Sequence, residues 1–162
     1  MGIVQSAFSV YTVTPVVWTI DWVWGLPLIA LTVIIHVLCL GLMNQRADAV
    51  LRYMTERCHS TVVSVVVMGT TTLLATGLHG LEAGIWAAAY WFLGAMPDPK
   101  TAMLYSLNAI TSYGPESLTL EKHWQLMGAI EALNGWLLFG LTTAFLFGMT
   151  QRVWLLSSRG KH

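Results

Sequence analysis

Three apolar stretches, residues 26–43, 61–96 and 126–149, leave this chain few choices of fold. A bilayer core of about 30 Å is crossed by about 20 apolar residues in a helix. Inside it each backbone N–H and C=O must be satisfied within the protein, so a spanning segment of this kind must be helical. Composition agrees: 10% of the 162 residues are charged, against roughly 25% in soluble domains. The expected class is an all-α membrane protein with three transmembrane helices. Formal charge is zero, so no basic surface invites nucleic acid. The second stretch, as one helix rising ~1.5 Å per residue, reaches ~50 Å and must tilt or project from the hydrocarbon. Its far end carries Trp86, Tyr90 and Trp91, suited to an aromatic interface belt. Cys39 and Cys58 have no C-x-x-C spacing and read as ordinary thiols in apolar surroundings. The first twenty residues lack a positive region and a small-residue cleavage site, so no cleaved leader is expected.

Positive residues orient the spans. Arg46, Arg52 and Arg57 are read as a first loop, and Arg152, Arg159 and Lys161 as a tail, whereas 98–122 holds only Lys100 and Lys122. The positive-inside rule then puts the first loop and the C-terminus in the cytoplasm, as in a multi-pass cell-membrane protein, with 98–122 outside. Residues 1–24 carry Ser, Thr and Gln, Pro15, and Trp18, Trp22 and Trp24. They read as an interfacial or partly inserted segment, with a fourth span as the alternative.

Between the second and third spans lies "DPKTAMLYSLNAITSYGPESLTLEKHW", too polar and too short to cross a bilayer. Asp98 followed by Pro99 is a helix start, because the carboxylate caps orphan N–H groups and proline has no donor to waste in the first turn. A helix over 99–110 is expected. At about 18 Å it enters a membrane halfway and must turn back, and "TSYG" follows at once. Its carbonyl end, carrying roughly half a negative charge, attracts a cation. A short surface helix joining two spans is the plainer alternative.

The order of outer helix, short helix, "TSYG" and glycine-bearing inner helix resembles the pore domain of the potassium channel superfamily, whose filter motif is T-V-G-Y-G-D. More narrowly, "LHGLEAGIWAAAYWFLGAMPD", "LYSLNAITSYG" and "LMGAIEALNGWLLFGLTTAFLFGMTQRVW" are similar to small bacterial ion-channel proteins with His-x-x-Glu on the outer helix and Glu-Ala-x-Asn-Gly on the inner. The likeness covers about residues 72–154. It implies a homotetrameric, re-entrant pore in membrane lipid, conducting K+ or Na+, with no cofactor and no enzymatic activity. The implied filter is Ile110, Thr111, Ser112, Tyr113 and Gly114, with Glu116 at the mouth. Ungapped, Ile110, Thr111 and Ser112 replace threonine, valine and the first glycine, and Pro115 replaces aspartate; a gapped alignment keeps Thr111 as the threonine and loses one ring of carbonyls. A weakly selective filter is expected. The chain then divides into 1–24, a first span and loop at 25–60, the pore domain at 61–154 and a tail at 155–162.

Ionisable residues within spans suggest function, because hydrocarbon makes them costly. His79 and Glu82 share a helix face, Glu131 opens the third span, and Asn134 lies one turn along. Together they read as a network supporting the filter. The rival is a metal site, since His and Glu three apart bind iron or zinc on facing helices; His36 reads as a packing histidine. Gly135 and Gly140 suit a hinge or close packing, and Thr142 and Thr143 suit a water-filled cavity. Two further function classes stay open: a non-conducting accessory subunit on the same scaffold, and a metal-binding membrane enzyme.

Overall fold

A computed structural model describes residues 15–55, 60–113 and 119–159. Arg57, Cys58, Gly114, Pro115 and Glu116 lie outside these residues. Four helices carry the fold: α1 (Pro15–Thr55), α2 (Ser60–Phe92), the short α3 (Pro99–Ile110) and α4 (Gln125–Arg159), the last entered through a 3-10 turn at Lys122–Trp124. Three of them, α1, α2 and α4, are long and apolar enough to cross a membrane. The chain is thus compatible with a multi-pass membrane protein.

Side-chain contacts give the helix directions. Along α1, Thr32, His36 and Asp48 meet Asn134, Thr142 and Arg152 in turn, so α1 and α4 run parallel. The α2 helix runs against both, since Ala47 and Leu51 pack with Val63 and Val67 while His36 meets Glu82.

The helices exceed the spans read from sequence. With 41 residues, α1 rises to ~60 Å, twice the hydrocarbon thickness. It starts within the tryptophan-rich segment assigned to 1–24 and passes Pro27 and residue 25 unbroken. It also carries Arg46 and Arg52, which sequence placed in a loop. Charge ends an apolar run without ending a helix, because turns beyond the hydrocarbon keep their internal hydrogen bonds while their side chains meet water. There Arg152 bonds Asn44 at 2.8 Å and pairs with Asp48 at 3.2 Å. For the same reason α4 continues past 154 into the expected tail.

Both ends of α3 follow local chemistry. Asp98 is extended (φ −147°, ψ 155°), and its carboxylate accepts from the Thr101 backbone N–H at 3.0 Å and hydroxyl at 2.6 Å. Those two Thr101 bonds hold the Asp98 carboxyl below the ordinary carboxylate range. At the other end the Ser112 N–H bonds the Ala109 carbonyl and the Tyr113 N–H that of Asn108. This is the paired Schellman closure, whose middle residue adopts a left-handed conformation. α2 closes identically around Gly94 (φ 70°), but α3 uses a serine, Ser112 at φ 55°. A side chain in that conformation costs roughly 1–2 kcal/mol more than glycine.

Packing forms three levels. Trp86, Tyr90, Met96, Ala102, Trp124 and Met127 fill the end nearest α3. Ala83, Ile110 and Leu138 form the middle, and Leu51, Val63, Met149 and Val153 fill the arginine end. Polar side chains are threaded between these levels.

Candidate functional site: the α3 tip and its polar supports

The tip of α3 rests on α4 at a glycine. A Cβ added to Gly135 would lie 2.1 Å from the Ile110 carbonyl oxygen, so only glycine admits this approach. Thr111 turns its hydroxyl back to the Leu107 carbonyl at 2.7 Å. The Ser112 hydroxyl accepts from the Trp136 indole N–H at 2.8 Å. Tyr113 is 82% exposed. Ile110, Thr111, Ser112, Gly135 and Trp136 line a cleft of about 410 Å³ whose wall is completed by Phe139 and His79.

Behind the tip, Glu131 ties three helices. Its carboxyl oxygens bond the Tyr90 hydroxyl of α2 at 2.7 Å and the Ser106 hydroxyl of α3. Ser106 also reaches the Ala83 carbonyl at 2.7 Å. One hydroxyl hydrogen cannot serve both Ala83 and Glu131. All three contacts close when Ser106 donates to Ala83, Tyr90 donates to Glu131, and the carboxyl carries the hydrogen between itself and Ser106.

The other supports bond elements other than α3. Asn134 donates to Thr32 of α1 at 2.9 Å. Glu82, fully buried, meets His36 Nδ1 at 2.8 Å and His79 Nδ1 at 3.4 Å. Thr142 meets Nε2 of His36 at 3.0 Å and of His79 at 3.1 Å. Among the described residues, then, Glu131 alone of the four proposed filter supports bonds α3, while Glu82, His79 and Asn134 bind α1 or α4.

Thr142 is buried against two histidines, and Thr143 is exposed and bonds the Phe139 carbonyl of its own helix at 2.8 Å. α4 is continuous through Gly135 and Gly140, so neither residue is a break; the first answers the α3 tip and the second has open space beside it. Gly114 and Glu116 lie outside the described residues. Sequence reading singled out as site residues none of Ser106, Tyr90 and Trp136, which are unremarkable in spans or interfaces, and it left the partners of His36 unnamed. An isolated histidine in an apolar helix was the available signal, since hydrocarbon demands a partner for it.

Compared with protein-family models, curated proteins and solved structures, the chain matches none.

Proposed function

We propose that the chain is one subunit of a homotetrameric cation channel of potassium-channel type, in the cell membrane, with α3 as a re-entrant pore helix and the C-terminus cytoplasmic. The observation that carries this reading is the placement of α3. A 12-residue helix, half the length of a span, is packed on α2 and α4 with its carbonyl end seated against Gly135 and its polar tip exposed. Exposed non-helical backbone at membrane depth needs protein or a water-filled cavity around it. A ring of copies supplies that enclosure, and the convergent helix ends favour a cation at its axis.

The proposed filter is short. The cap and the Thr111 side chain engage the carbonyls of Leu107, Asn108 and Ala109, and the Ile110 carbonyl faces Gly135. The carbonyls from Thr111 onward remain for an ion. Potassium selectivity depends on stacked carbonyls, by their spacing or by their number and field strength, so a short stack discriminates weakly between K+ and Na+. Mild crosslinking in detergent is expected to give a ladder ending at four subunits. A folded protein that stays monomeric or dimeric would remove the pore.

A further inference from the structure

We propose that His36, His79 and Glu82 form a binding site for a divalent transition-metal ion of the zinc or ferrous class. One ligand atom from each residue lies within 4.8 Å of the others, at the junction of α1 and α2 where α4 closes over them. Bonds of about 2.0–2.2 Å around a tetrahedral ion place its ligands roughly 3.3 Å apart. The 3.4 Å between His79 Nδ1 and Glu82 Oε2 matches that spacing, while the other carboxylate oxygen, Oε1, lies 2.8 Å from His36 Nδ1, nearer than two ligands of one ion stand.

Counting hydrogens shows why a cation belongs there. With both imidazoles neutral, each ring and the Thr142 hydroxyl carry one polar hydrogen, and three hydrogen bonds use them all: His36 Nδ1–H donates to Glu82, the Thr142 hydroxyl donates to His36 Nε2, and His79 Nε2–H donates to Thr142. That leaves His79 Nδ1 and Glu82 Oε2 facing each other as two acceptors. Accordingly, Glu82 Oε2 is a buried oxygen with no hydrogen-bond partner among the described residues. Binding a metal reorganises the set simply. Each Nε2 carries its hydrogen and donates to one lone pair of Thr142 Oγ1, which frees both Nδ1 atoms as ligands. Metal-bound histidines generally have their second ring nitrogen held this way.

Access comes from the cleft beneath the α3 tip. His79 retains 26% of its side-chain exposure and lines that cleft, whereas His36 and Glu82 have none. Three protein ligands leave one coordination position for water. The site does not depend on the pore reading, because all three residues belong to one chain.

The test uses untagged full-length protein in detergent, stripped with a chelator and titrated with Co2+. The expected result is a saturable visible absorption band at one Co2+ per chain, displaced by Zn2+. His79→Gln and Glu82→Gln should each weaken binding by more than tenfold with unchanged helical content. Thr142→Val, which removes only the common acceptor of the two Nε2–H groups, should weaken it about 10–100-fold. His123→Gln, at an exposed position, should leave it unchanged. Absence of a saturable band, with a proton then the only occupant, would overturn the proposal. Full affinity retained in both His79→Gln and Glu82→Gln would overturn it equally.

Discussion

Glu131→Ala should lower the stability of the folded chain by about 2–6 kcal/mol, since two buried hydroxyl groups lose a partner at roughly 1–3 kcal/mol each. It also removes one polar tie between α3 and α4, the contact between Glu131 and Ser106. Glu131→Gln should behave differently. A glutamine amide donates to Ser106 and its carbonyl accepts from Tyr90, reproducing the hydrogen pattern that closes all three contacts around the native carboxyl. Near-native melting is therefore expected for Gln and a large loss for Ala, both read by thermal unfolding in detergent. Equal losses in the two variants would show that a charged carboxylate, and not the hydrogen pattern, holds this node.

Gly135→Ala is the second large effect, and Gly140→Ala is its control. In a helix interior alanine is favoured over glycine by about 1 kcal/mol. At Gly140 nothing lies within 4 Å of the added Cβ, so that preference should appear as slight stabilisation. At Gly135 the Cβ meets a backbone oxygen at 2.1 Å, and α3 must move bodily. Overpacking of this kind costs typically 1–3 kcal/mol, and the obstacle here is main chain, so the upper end applies and, after the helix preference for alanine is subtracted, a net loss of about 2 kcal/mol is expected. In melting curves the two variants should shift in opposite directions. A Gly135→Ala variant as stable as the native protein would mean that the tip of α3 does not rest on α4.

Elements governed by local chemistry were legible in the sequence. Asp98, Pro99 and the turn after Ile110 delimit α3 through capping and backbone geometry, and the structure has that helix over the same residues. The three long apolar helices were legible for a related reason: apolar length is a local property. Where they end was not, because Arg46 and Arg52 are as acceptable on a helix projecting into water as in a loop. Partners distant in sequence were legible only as types. Glu82 plainly needed a partner, but its mate, His36, is 46 residues away on another helix. His79, three residues away and therefore the expected neighbour, makes the longer contact at 3.4 Å. Thr142 looked like a cavity residue because a hydroxyl in a span suits water as well as histidine. Which of the two it meets depends on helix rotation, and the residue periodicity of a helix apolar on nearly all sides does not encode rotation.

Conduction bears most directly on the account. Purified protein in planar bilayers, under a bi-ionic gradient of K+ against Na+, should carry cation current with a reversal potential close to zero. The triple change Ile110→Thr, Thr111→Val and Ser112→Gly should move that potential toward potassium, since it restores the residues from which the resembled filter stacks its carbonyls. A strongly potassium-selective native current would contradict the short filter, and no current under any gradient or voltage would contradict the channel itself.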